Sequence, residues 1–287
     1  MALKQLLRPT NRNVRYLVGC LLIGLFCIQC IPDRNTDSGN VLIARTQTGN
    51  PDDVAAKLVQ LAKTDHIALL KLCQEHCRSN YRDYTCTLVK QERIKGALGK
   101  EQEVRVKFLD SPYSVLLKWV RNAPIGDQVL YVEGKHGGNM IVRPKSGLLR
   151  MLTGGYVLRK PTGPDAMKKT LRPVSFFGFR RGLRELIKVY AQARDNGDLK
   201  QAFGEFAEVA GRKTLVLERY LPATEDYPAA KTLIYVDLEY LVPTCIEGWD
   251  WDDRLSSRYV YKDIEFNVGL SEDDFLPEAN GIKLKKK

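Results

Sequence analysis

The stretch EVRVKFL (residues 103–109), a Ser111-Pro112 turn and then YSVLLKWV (residues 113–120) decides the fold class. Val104, Val106 and Phe108 alternate with Glu103, Arg105 and Lys107; Val115, Leu117 and Trp119 keep the same two-residue period. That period places one side chain in every two on a single face, the mark of a strand with one buried side. The two segments form a hairpin, and similar segments continue on both sides: YTCTLVKQERI (84–94), QVLYVEG (128–134), NMIVRP (139–144), LLRMLT (148–153) and YVLRK (156–160). Gly96-Ala97-Leu98-Gly99, Gly134 to Gly138 and Ser146-Gly147 read as turns. No helical pattern interrupts the run, so a parallel βαβ sheet is excluded.

Working outward, residues 160–178 read as a Pro/Gly-containing crossover, followed by a helix from about Arg180 to Arg194 with Leu183, Leu186, Ile187 and Tyr190 on one stripe. Strands resume at FGEFAEVA (203–210), TLVLERYL (214–221), TLIYVDLEY (232–240), PTCIEGWDW (243–251) and SSRYVYKDIEF (256–266). Upstream, Asn50-Pro51-Asp52-Asp53 is a helix start, and apolar residues recur at helical spacing to about Asn80 with a break near Thr64-Asp65. The fold class is therefore α+β: a long antiparallel meander with an N-terminal helix and one internal helix.

The first 32 residues differ in kind. Lys4, Arg8, Arg12 and Arg15 precede an apolar segment, residues 16–31, with no acid among them. This is the pattern of an exported chain whose N-terminus stays inside. The segment is intermediate in length between a signal-peptide core and a spanning helix, so cleavage and retention as an anchor both stay open. Leu17-Val18-Gly19-Cys20 has the local form of a lipidation site, but too little apolar sequence lies ahead of it. The expected organisation is a leader over 1–32, a polar linker over 33–50, the domain over 51–276 and a basic tail over 277–287. The expected location is extracytoplasmic.

The formal net charge of +11 divides unevenly. Leader and tail contribute four charges each, which leaves an ordinary body and removes the case for nucleic-acid binding. Within the body, Lys135–Lys188 holds thirteen basic residues against Asp165 and Glu185, whereas Asp237–Glu278 holds twelve acids against three bases. Such polarity suits an anionic partner or surface; segregated solvated faces are the plainer account.

Chemistry-bearing patterns are missing. The three histidines, His66, His76 and His136, fall on the opening helix or in a glycine turn, and no nucleophile elbow, zinc-protease motif, phosphate loop or calcium loop is present. No catalytic residue, cofactor or metal is expected. A zinc site from His66, Cys73, His76 and Cys77 shares a helical face but has no closed-site spacing. The four body cysteines, Cys73, Cys77, Cys86 and Cys245, read as disulfide partners or inert thiols.

Several motifs carry a resemblance. Asp83 to Arg93, Ser111-Pro112-Tyr113-Ser114-Val115 and Val129-Leu130-Tyr131-Val132-Glu133-Gly134 resemble the opening of a bacterial domain family of unknown function, numbered 1571. Val236-Asp237, Leu241-Val242-Pro243, Tyr259 to Ile264, Asn267 and Asp274-Phe275 are similar to the closing signature of LolA-like proteins. The resemblance covers about residues 55–276. It implies a half-open antiparallel barrel curved around helices that fill or cap an apolar concave face, in relatives that carry lipids or lipoproteins.

On that basis Val104, Val106, Phe108, Val115, Leu117 and Trp119, with Leu183, Leu186, Ile187 and Tyr190, are the expected cavity residues. Arg172, Arg180, Arg181, Arg184 and Lys188 are the expected contacts to an anionic headgroup or bilayer. The leading expectation is a non-enzymatic carrier or receptor for a lipid or an acylated protein or peptide. The inner-membrane surface would be reached through the N-terminal segment. The alternative is an envelope protein-interaction module with a closed core.

Overall fold

The computed structural model describes residues 51–283. The leader, the apolar segment 16–31, the linker over 33–50 with Asn50, and the last four residues lie outside the described residues. Gly49–Lys287 is a compact unit in its own right.

Two helices open the domain, α1 (Pro51–Thr64) and α2 (His66–Asn80). The break expected near Thr64-Asp65 is real: the Asp65 carboxylate accepts a hydrogen bond from the Ala68 amide at 2.9 Å and starts a new helix. The strands follow as β1 (Asp83–Ile94), β2 (Ala97–Leu98), β3 (Gln102–Leu109), β4 (Ser114–Arg121), β5 (Gly126–Val132) and β6 (Met140–Pro144). A short helix α3 (Gly147–Thr153), strand β7 (Val157–Arg159) and one helical turn α4 (Pro164–Met167) lead to helix α5 (Phe179–Asp195). Strands β8 (Lys200–Val209), β9 (Arg212–Tyr220), β10 (Lys231–Asp237), β11 (Pro243–Trp249) and β12 (Leu255–Phe266) complete the sheet.

All pairings are antiparallel, in the order β7-β6-β5-β4-β3-β1-β12-β11-β10-β9-β8, with β2 as a hairpin partner of β1. The edge strands β7 and β8 do not pair with each other, so the sheet is a half-open barrel. β1 sits at its centre, with Cys86 opposite Val106 of β3 and Leu88 opposite Tyr261 of β12.

One face meets the helices. Tyr84, Val106, Phe108 and Val115 pack there with Leu69, Cys73, Phe179, Leu183 and Tyr190 in the main hydrophobic cluster. Tyr84 stacks on Phe108 at 4.8 Å between centroids and lies 5.0 Å from Phe179. The other face, by strand alternation, carries Leu109, Leu116, Leu130 and Ile141, which Leu270, Phe275 and Ile282 cover. This second layer extends past residue 276, where the sequence suggested a tail. The Gln128 amide donates to the Asn280 carbonyl at 3.0 Å, and Asn280 and Ile282 are buried.

One segment expected as a strand is a helix. LLRMLT (148–153) places Leu148, Leu149, Met151 and Leu152 at spacings of one, three and four, which is a helical rather than an alternating pattern. The Ser146 hydroxyl accepts from the Leu149 amide and Gly154, in the left-handed conformation, closes the far end. What read as a Ser-Gly turn is therefore a helix start.

Candidate functional site

The inner face of the sheet is filled along one part of its length and hollow along another. In the hollow part a cavity of about 480 Å³ opens between the sheet and the 160–178 crossover, which acts as a strap. Leu88 of β1, Val104 of β3, Leu117 and Trp119 of β4, Val129 of β5 and Ile246 of β11 form its floor. Leu186 of α5, Phe177, Val174, Ala166 and Pro161 form the wall above. The volume lies in the range of small-ligand pockets, and the lining is mainly apolar.

Strand register explains the floor. Successive inward positions on β1 are Tyr84, Cys86, Leu88, Lys90 and Glu92; the first two face the helices, and the last three face the cavity. The strap begins where α5 ends its cover. Gly178 has φ +94, and a Cβ there would stand 2.5 Å from the Phe108 ring. Glycine is therefore required where the strap turns across the aromatic cluster into α5.

The expected cavity residues divide along the same line. Val104, Leu117, Trp119 and Leu186 line the hollow. Val106, Phe108, Val115, Leu183 and Tyr190 are buried in the filled part, and Ile187 packs partly buried against it.

A polar latch closes one side of the cavity. Glu92, only 2% exposed, accepts hydrogen bonds from Tyr259 Oη at 2.7 Å, Lys90 Nζ at 2.9 Å, and the Thr170 hydroxyl and Leu171 amide at 3.2 Å each. Burial alone would raise its carboxyl pKa. The Lys90 charge and the bonds from Lys90, Tyr259 and Leu171 outweigh that and hold it below the ordinary value. Glu92 thus ties the strap to β1 and β12. The sequence reading did not single it out, although two consecutive charges, Lys90 and Glu92, on the inward register of an apolar face are the visible signal.

The expected headgroup cations are mostly neutralised. Arg180 pairs with Asp110 at 3.1 Å, while Arg184 and Lys188 both pair with Glu185, at 3.0 and 3.1 Å. Arg181 grips Glu133 at 2.9 Å and lies 3.5 Å over the Tyr113 ring. Arg172 differs: it lines the cavity beside Tyr259, and Lys168 and Lys169 line it too. Among the described residues, none of these three has an ion pair.

Other polar groups have structural roles. His66 is fully buried between Tyr190 Oη at 3.2 Å and the Ala62 carbonyl at 2.8 Å, so both ring nitrogens are engaged. Desolvation lowers its pKa to about 4. The four body cysteines are buried free thiols, and burial pushes Cys77 and Cys245 up to about 12. At that value they are protonated and unreactive near neutrality. Among the described residues no group of His, Cys, Asp and Glu is arranged to hold a metal, and no helix is long and apolar enough to cross a membrane.

Residues 81–283 match the family model described as protein of unknown function, DUF1571. The chain belongs to the DUF1571 family. No curated protein sequence matches this DUF1571 chain. Among solved structures it is similar to MucB in the Pseudomonas aeruginosa MucA/MucB complex, with 14% identity and a TM-score of 0.43, over 74% of this chain and 60% of that one. It is similar to the Mycobacterium tuberculosis lipoprotein LppX, with 11% identity and a TM-score of 0.41, over 72% and 99%. A LolA superfamily protein from Nitrosomonas europaea gives 11% identity and a TM-score of 0.31, over 74% and 97%. The DUF1571 chain therefore spans about 60% of the length of MucB.

Proposed function

We propose that this DUF1571 domain is a non-enzymatic, extracytoplasmic carrier or receptor for an amphiphile, and that it holds an acyl chain between the sheet and the strap. The observation that carries the reading is the cavity of about 480 Å³ with an apolar floor and, among its lining, three cations, Lys168, Lys169 and Arg172, that have no ion pair among the described residues. Each methylene moved from water into such a space contributes about 0.8 kcal/mol. Ten of them contribute roughly 8 kcal/mol before the cost of immobilising the chain, so affinity needs no reactive group. The cations complement a phosphate or carboxylate head. The basic leader and apolar segment 16–31 support an exported location, with the domain held at the outer side of the inner membrane.

The test is to isolate the full chain from cell envelopes with a membrane-solubilising polymer instead of detergent, then extract with solvent and analyse by mass spectrometry. A defined amphiphile, near-stoichiometric with the chain and reduced in Leu117→Trp, is expected. Protein free of any acyl-containing species, with unchanged composition in the variant, counts against the reading and favours a surface-only interaction module.

A further inference from the structure

Helix α3 buries none of its residues. Seven residues do not make a stable helix by themselves, yet both ends are secured. Ser146 caps the start, and the Gly155 amide donates to the Arg150 carbonyl at 2.7 Å beyond Gly154 at the finish. What this secured turn presents is hydrocarbon: Leu148, Leu149, Met151 and Leu152 are 63, 46, 74 and 70% exposed. Leu158 on the adjoining β7 and Phe176 in the strap are also exposed. An apolar patch built on a capped element marks a contact surface.

The surrounding charge says what the contact is. Residues 143–172 contain eight Lys/Arg and a single acid, Asp165. Arg143 and Arg150 are spent on Asp127, and Arg159 on Asp165. Lys145, Lys160, Lys168, Lys169 and Arg172 have no ion pair among the described residues. Large exposed aliphatic side chains with unpaired cations in the flanking segments are the composition of an element seated at a bilayer interface, with anionic headgroups around it and acyl chains beneath. A protein partner of matching shape would need an equally apolar surface edged with acids, whereas an anionic bilayer supplies both by nature.

Placement fits as well. Leu149 and Thr153 of α3 and Phe176 of the strap belong to the cavity lining, so the patch borders the cavity. We propose that α3, with Lys145 and the basic residues of the strap, docks the domain on an anionic bilayer and turns the cavity toward the lipid. This surface goes beyond the carrier reading and does not depend on it, since a domain with a permanently filled cavity would dock equally.

The experiment is hydrogen exchange of the full chain reconstituted in vesicles of phosphatidylcholine alone or mixed with phosphatidylglycerol. Peptides over residues 147–159 should exchange at least about threefold more slowly in the anionic vesicles. The protection should disappear at high salt and in the double variant Met151→Glu, Leu152→Glu. Both positions are largely exposed, so exchange over β9 and β10 should stay as in the parent and report an intact fold. Equal exchange in the two vesicles, or protection that survives the double variant, overturns the proposal. So does protection that grows with protein concentration in the absence of lipid, which would identify a second copy as the occupant. Loss of docking with retained acyl binding, or the reverse, separates failure here from failure of the carrier reading.

Discussion

The inner face of this sheet has two parts that the same strands build with the same alternation, yet one is solid and the other hollow. In the solid part Tyr84, Val106, Phe108 and Val115 meet α2 and α5, and Leu183 and Tyr190 have no exposed surface. In the hollow part Leu88, Val104, Leu117 and Trp119 meet chiefly a strap held by Glu92, with Leu186 of α5 beside it. The difference lies in what covers the strands. A helix delivers an apolar residue every turn and closes the packing. A Pro/Gly-containing strap delivers backbone and a few side chains, and leaves space.

The comparison breaks most visibly at the latch. Lys90→Met leaves Glu92 buried without its cation, a loss of about 3–5 kcal/mol. Urea unfolding would show it, and hydrogen exchange should accelerate over residues 160–177. An unchanged strap would mean that Glu92 does not hold it. Next in size is Leu183→Ala in the solid part, which leaves a void among fully buried neighbours and should cost about 3 kcal/mol. Leu117→Ala in the hollow part removes a side chain that already borders a space, so less than about 1 kcal/mol is expected. Equal losses at the two sites would erase the distinction between solid and hollow.

Acid should separate the two parts too. His66, beside Tyr190 in the solid part, has its folded pKa lowered to about 4 from an ordinary 6.5. The unfolded chain therefore takes up a proton first, and stability present above pH 6.5 is lost as pH falls toward 4. The expected loss is about 2 kcal/mol between pH 7 and pH 5. Glu92 is also held below its ordinary pKa, but its contribution is lost only at lower pH, from the ordinary carboxylate value downward. Between pH 7 and pH 5, then, global stability should fall while strap exchange does not respond. His66→Gln should flatten the stability profile in that window.

The smallest expected effect has the opposite sign. Arg219 is 2% exposed, with Nε and Nη1 unbonded, and lies 4.8 Å over the Tyr190 ring with no ion pair among the described residues. Replacing such a group by Met should be neutral or stabilising by about 1 kcal/mol, measured as the urea midpoint.

How much of this was legible follows from what a sequence pattern encodes. Alternation in residues 103–120 gave the strands and their inward face, and Leu183, Leu186 and Tyr190 gave the face of α5. Alternation says nothing about how far along a strand a helix reaches, so Val106 and Leu117 looked equivalent. Arg180 and Arg181 of α5 look like part of a free basic lobe because Asp110 and Glu133, their partners, lie on the β3–β4 connection and after β5. Ion pairs between such distant segments leave no trace in local charge counts. α3 sits between strands and so looks like one, although Leu148, Leu149, Met151 and Leu152 follow a helical period. Glu92 does not stand out among the other charges of its strand.

Fluorescence of Trp119 tests the central claim most directly, since it stands in the cavity floor, its indole nitrogen donating to Gln102 at 2.8 Å. With the Gly49–Lys287 unit and a brominated fatty acid, the account predicts saturable quenching that vanishes in Trp119→Phe, where only Trp249 and Trp251 remain. Quenching that is absent, or equally strong in the Trp119→Phe variant, would contradict an acyl-accepting hollow beneath the strap.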